Sequence, residues 1–240
     1  LRVYPIECQN SMKAELSDID RAHAAYTKRS LALYDWWVLG ISNRRIWKCP
    51  TEKIIDLYRV HLTENHLEVG VGTGYFLEHS LPKGRPRIAL LDINRDCLDR
   101  TSRRIADYRP EVYQENVLEP FDLKGPKFDS IAINYLLHCL PGNLESKAGK
   151  VLDHLIPFLN EDGVIFGASI LGMDIQRPLA ARMLMNLYNR KGVFSNRQDS
   201  LGGIMETLSK RFRTFNVEVC GCVVLFWGKG LRDAYRHEHP

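Results

Sequence analysis

His66-Leu67-Glu68-Val69-Gly70-Val71-Gly72-Thr73-Gly74-Tyr75-Phe76 decides how the rest of this chain is read. A short apolar run ends in three glycines on alternate positions and passes directly into helix-forming residues, the pattern of strand, tight loop and helix. Glycine has no Cβ, so such a loop takes positive φ and lets a ligand lie against bare backbone amides. A helix that follows would aim its unsatisfied N–H groups at the same spot. A dinucleotide fingerprint wants G-x-G-x-x-G. Counting from Gly70 puts Tyr75 at the third glycine, and counting from Gly72 puts Leu77 there. What remains is E-x-G-x-G-x-G, from Glu68 to Gly74.

Downstream, the alternation of apolar runs and helical patterns predicts an α/β sheet. Ile88-Ala89-Leu90-Leu91-Asp92 is continuously apolar, as suits a parallel strand covered on both faces, and it stops at an acid. Asp92 lies about 20 positions beyond the glycine loop, the separation at which a carboxylate accepts from ribose hydroxyls. It also competes with Asn94 to cap the helix that follows over Asp96 to Tyr108. Val112-Tyr113-Gln114 is the third strand, ahead of Asn116, and Phe128 to Asn134 the fourth. A helical run through Leu159 and an Asp162-Gly163 turn lead to a fifth strand over Val164 to Ile170. Residues 172–210 carry helical patterns near Leu179 to Asn189 and Asp199 to Leu208, after which Phe215 to Cys220 and Cys222 to Trp227 read as an antiparallel hairpin. Upstream, Pro50-Thr51 opens a helix through Leu62. Before it, Ser17-Asp18 offers an N-cap to an aromatic-rich helical stretch that stops near Gly40.

The loop from Glu68 to Gly74 resembles motif I of class I S-adenosylmethionine-dependent methyltransferases, and the element order over residues 50–228 resembles theirs. The resemblance implies a Rossmann-like seven-stranded sheet with a C-terminal antiparallel hairpin strand and helices on both faces. It implies S-adenosylmethionine as cofactor and S-adenosylhomocysteine as product. Its acidic residue and glycines surround the methionine part of the cofactor, which nominates Glu68, Gly70, Gly72 and Gly74. Asp92, with Ile93, falls where the ribose is held. Asn116, with Val117, falls where the adenine amine is bonded, although Asp is common there and a loop asparagine also makes local turns. The segment after strand four, Asn134-Tyr135-Leu136-Leu137-His138, lacks the two prolines of base-modifying amino methyltransferases. It looks like the version found in small-molecule and quinone-type enzymes, which adds Asn134 to the cofactor set and Tyr135 to the substrate set.

The expected division is an N-terminal helical lid over 1–49, a methyltransferase domain over 50–228 with a substrate-cap insertion at 172–210, and a tail over 229–240. His138 is the candidate base, because it follows strand four and imidazole titrates in the useful range; a helix-start histidine bonded to local backbone reads the same way. In the lid, Tyr34 is a second catalytic candidate, Tyr26 a cofactor contact and Trp37 a substrate contact, unless these aromatics are simply a packing face. Met183 and Phe194 roof the substrate pocket or fill the core. The function expected is methyl transfer to a small, apolar or aromatic metabolite of secondary metabolism. A cyclase, or a binding protein without turnover, would use the same fold.

The 240 residues suit one large α/β domain, and the net charge of +4 is spread over scattered basic pairs such as Arg44-Arg45 and Arg103-Arg104. No nucleic-acid partner follows from that. The apolar runs are below membrane-spanning length and the opening Leu1-Arg2-Val3-Tyr4-Pro5 has no leader pattern, so a cytoplasmic enzyme is expected, without a membrane partner and as a possible homodimer. Six cysteines show no C-x-x-C pair and no zinc-like spacing, so no metal is expected.

Overall fold

A computed structural model describes residues 42–232. Tyr26, Tyr34 and Trp37 of the expected lid, and most of the expected C-terminal tail, lie outside this range. Seven strands form one sheet in the order β3-β2-β1-β4-β5-β7-β6. They are β1 (Asn65–Val69), β2 (Arg87–Asp92), β3 (Glu111–Gln114), β4 (Phe128–Asn134), β5 (Leu159–Ile170), β6 (Phe212–Cys220) and β7 (Val223–Leu231). The first five are parallel, and β7 inserts antiparallel between β5 and β6. This is the expected sheet with its terminal hairpin, the last strand running to Leu231 rather than stopping at 228.

The helices are α1 (Thr51–His61), α2 (Tyr75–Glu78), α3 (Arg95–Arg104), α4 (Leu144–Leu155), α5 (Leu179–Arg190) and α6 (Leu201–Arg211). Strand residues alternate between faces, so each strand feeds two cores. Leu67, Val69, Ile131 and Ile133 pack with α4 and α6 through Val151, Leu155, Ile204 and Leu208. On the other face, Phe166 and Ala168 meet Ile54 and Tyr58 of α1 and Met185 of α5, while Ile88 and Leu90 meet Leu98 of α3.

Three expectations change. The helix after the glycine loop is only one turn, since Pro82, Gly84 and Pro86 end it early, so ligand-facing amides must come from the loop itself. Asp162-Gly163 is not a connection but a bulge inside β5. Between the pairs Phe128–Leu159 and Ser130–Val164, β4 advances 130 − 128 = 2 residues and β5 164 − 159 = 5. The interval 172–210 is not a cap throughout, because Ile204 and Leu208 of α6 belong to the main core.

A buried ion pair ties this interval to α4. Lys147 Nζ lies 2.8 Å from Asp199 Oδ2, with side chains 1% and 0% exposed. The same ammonium donates to the carbonyls of Leu140 at 3.1 Å and Ser195 at 2.8 Å. It thereby anchors the turn that follows β4.

Candidate active site

Beyond the carboxyl ends of β1 to β4 lies a cleft of about 1140 Å³ including its open mouth. Its position is the one an open parallel sheet reserves for ligands. Glu68, Gly70, Gly72, Gly74, Asp92, Ile93, Asn116, Val117, Asn134 and Tyr135 all line it. Ten of the residues nominated from sequence are therefore brought to one cleft.

The glycine loop forms the floor. Gly70, Gly72 and Gly74 have φ of +71°, +52° and +72°, a left-handed conformation that side chains resist. A Cβ on Gly72 would have no protein atom within 4 Å, so its surroundings are open space. A Cβ on Gly70 would touch Leu136 at 3.0 Å. The loop is thus a bare backbone cradle at Gly72 and a packed hinge at Gly70.

Asp92 and Asn94 divide their work. Asn94 caps α3, its Oδ1 accepting from the Asp96 amide at 2.9 Å, so Asp92 is not needed there. The Asp92 carboxylate instead accepts from the Asn94 amide at 2.8 Å and faces the cleft. Burial lifts its pKa to about 6, opposed by backbone amides of Asn94, Gly72, Val71 and Ile93. Asn116 makes the local turn weighed for it, its Oδ1 accepting from Leu118 N at 3.0 Å, and the residue also lines the cleft.

Asn134 Oδ1, at the end of β4, is buried with no hydrogen-bond partner among the described residues, an unmet acceptor on the cleft wall. Tyr135 follows with φ +55°, unusual for a bulky side chain and costing on the order of 1–2 kcal/mol. Its amide donates to Ala168 O at 2.8 Å and its hydroxyl to Asn43 Oδ1 at 3.1 Å, which hold it there. An open cradle, a carboxylate set by amides and an unmet buried acceptor fit a ligand with hydroxyls and donor nitrogens, as S-adenosylmethionine has. Among the described residues no group of three His, Cys, Asp or Glu side chains is placed to hold a metal ion.

The remaining nominees among the described residues lie elsewhere. His138 is 3% exposed and does not line the cleft. Its ring stands edge-on to Phe194 at 4.5 Å, and Ile170 N donates to its Nδ1 at 3.4 Å. That amide belongs to β5, 32 residues away, so the ring is held by a distant strand and not by its local backbone. Burial, with the Lys147 charge second, lowers its pKa to about 3. Phe194 belongs to the second core, and Met183 points to solvent on α5, 65% exposed. Residues not nominated from sequence, among them Phe76, Leu136, Cys139 and Leu140, form the apolar end of the cleft. The sequence points to the segment Asn134 to His138 as a whole, but a strand-to-turn transition does not reveal which of the side chains there and just beyond turn inward.

The buried imidazole sets a pH dependence. An unfolded His138 takes a proton near its ordinary 6.5 and the folded one near 3, so the unfolded state binds more protons in between. The contribution to stability is complete above about 6.5 and declines by about 1.4 kcal/mol per pH unit as pH falls toward 3. In urea denaturation from pH 7 to pH 4, His138→Asn should therefore lose stability less steeply than the parent. Parallel curves would contradict the assignment.

A methyltransferase domain family model matches residues 67–165. Methyltransferase aurB of Calcarisporium arbuscula is 37% identical over 207 residues, covering 80% of this chain and 90% of that protein. Demethylluteothin O-methyltransferase of Streptomyces thioluteus is 35% identical over 201 residues, covering 83% and 87%. Among solved structures, the N-methyltransferase NodS of Bradyrhizobium japonicum WM9 in complex with S-adenosylhomocysteine superposes with a TM-score of 0.62. It does so at 16% identity, over 88% of this chain and 98% of that one.

Proposed function

This chain belongs to the class I S-adenosylmethionine-dependent methyltransferases that act on small molecules, and from that premise we propose that the atom it methylates is a hydroxyl oxygen on a largely apolar, aromatic metabolite. When bound, S-adenosylmethionine supplies a methyl group on a sulfonium sulfur, open to in-line displacement. Everything else is the work of the chain. Asp92 accepts ribose hydroxyls, Asn116 meets the adenine, and the Gly70 to Gly74 backbone with Asn134 holds the methionine part.

The observation that carries the acceptor reading is the unequal lining of the cleft. Its β2 and β3 side carries the polar groups Asp92, Asn94, Glu115 and Asn116 beside Ile93 and Val117, whereas past Asn134 the turn after β4 presents Tyr135, Leu136 and Leu140 next to Phe76. A flat apolar acceptor fits the second side, where burial excludes water and aromatic edges align a ring. The imidazole of His138 is off the cleft wall, so an acceptor whose own hydroxyl ionises near neutral pH is favoured over one that needs a strong base. The naming of the Streptomyces relative as an O-methyltransferase supports the same atom.

We further propose that the enzyme works in the cytoplasm and takes no nucleic-acid partner. Much of its surface charge is neutralised locally, as in Lys210 with Glu206 at 2.6 Å and Arg95 with Asp99 at 2.9 Å. No described helix is long and apolar enough to cross a membrane. The test uses methyl-labelled cofactor with matched aromatic acceptors that differ only in carrying a hydroxyl or an amine. Label should enter the phenol as an ether; label in the amine or on ring carbon would overturn the proposal.

A further inference from the structure

Beneath the glycine loop, polar side chains cross a sheet interior that is otherwise apolar. Tyr58 of α1 donates its hydroxyl to Glu68 Oε1 at 2.6 Å. Glu68 Oε2 lies 3.1 Å from His66 Nε2, and His66 Nδ1 lies 2.8 Å from Ser130 Oγ. Ser130 Oγ in turn accepts from the Thr63 amide at 3.0 Å. His66 and Ser130 are direct neighbours in the β1 to β4 register, and both are 0% exposed, with Glu68 at 4%. Only Glu68 of these residues reaches the cleft.

We propose that Tyr58, His66 and Ser130 are positioning residues, which fix the Glu68 carboxylate so that it meets the positively charged end of the cofactor's methionine part. The proposal rests on the cofactor reading above. The hydrogens follow from chemistry. An ionised carboxylate only accepts, so Nε2 carries the hydrogen between His66 and Glu68. Nδ1 is then an acceptor, and the Ser130 hydroxyl, already receiving the Thr63 amide, points its hydrogen at it. The Glu68 carboxylate thus selects the histidine tautomer, and Ser130 supplies the donor which that tautomer needs at Nδ1, as an outer partner does for a metal-bound imidazole. Tyr58 is a permanent donor, because burial and the Glu68 charge hold its phenol well above the usual range.

One donor grips each carboxylate oxygen, so the group cannot rotate, yet each oxygen keeps a lone pair for a ligand. Among the described residues no lysine or arginine forms an ion pair with Glu68, so its negative charge stays available to an incoming ammonium. The apolar ring of Phe166, 5.0 Å from Tyr58 and 6.0 Å from His66, lowers the local dielectric and strengthens each bond. Sheet stability alone would favour apolar side chains at 66 and 130, as at the flanking Leu67 and Ile131.

The experiment is calorimetry of S-adenosylhomocysteine and of methylthioadenosine, which lacks the methionine ammonium, against the parent chain, Tyr58→Phe and Ser130→Ala. Tyr58→Phe keeps the ring and removes only the hydroxyl. Both variants should lose about tenfold or more in affinity for S-adenosylhomocysteine and change little for methylthioadenosine, since a hydrogen-bonded charge is mis-set at one end of the site only. The ratio of the two affinities does not depend on the folded fraction. A ratio unchanged in both variants would overturn the positioning role while leaving the cofactor reading intact. A parent chain that binds neither nucleotide would overturn the cofactor reading and this proposal with it.

Discussion

Replacement of Gly72 by arginine is expected to abolish S-adenosylmethionine binding in titration calorimetry while the protein stays folded. The two halves of this expectation come from one observation. A Cβ at Gly72 meets no protein atom within 4 Å, so the apo fold tolerates the side chain sterically. The residual cost is the left-handed φ of +52°, about 1–2 kcal/mol for a residue with a Cβ. The open space, however, belongs to the cleft, and a guanidinium on a long stem occupies it and adds positive charge where a sulfonium and an ammonium would lie. Gly72→Ala should fall between, with weakened binding. Affinity in Gly72→Arg equal to the parent's would move the cofactor away from this loop.

The second large effect is on stability. Lys147→Met should destabilise the protein by about 3–5 kcal/mol in urea denaturation, because it leaves the Asp199 carboxylate buried without its cation. It also removes the donor that Leu140 and Ser195 share. Adding Asp199→Leu to Lys147→Met should restore much of the loss, since exchanging both members of a buried pair for apolar groups is often neutral. If the double variant is no more stable than Lys147→Met, the cost lies in the carbonyls rather than in the charge.

Much of this molecule was legible in the sequence, for a physical reason. The β1 loop and the continuous apolar strands are local patterns: each is specified by residues that are neighbours in the chain, and a parallel sheet then fixes where their ends converge. Asp92 and Asn116 were found because strand ends are found. The opposite held for His138, whose fate depends on Phe194 and on the Ile170 amide, partners distant in sequence that pack against it. Met183 failed for a related reason: helical spacing shows that a residue lies on a stripe, but not which stripe faces inward when Leu179, Met183 and Leu187 are exposed and Ala181 and Met185 are buried. The chain of Tyr58, His66 and Ser130 was invisible because it joins a helix to two strands through a register no single stretch encodes.

The placement of β7 carries a consequence for assembly. β6 precedes it in the chain yet has no neighbour in the sheet except β7, and β5 has β7 as its second partner. Until residues 223–231 dock, the far side of β5 is an unpaired edge whose residues Val164 to Ile170, apolar but for Ser169, are destined for burial. Such an edge is a template for another chain. Refolding yield should therefore depend on protein concentration and on how quickly a long-range pairing, Val164 with Lys229 at one end and Ile170 with Val223 at the other, outruns association between molecules.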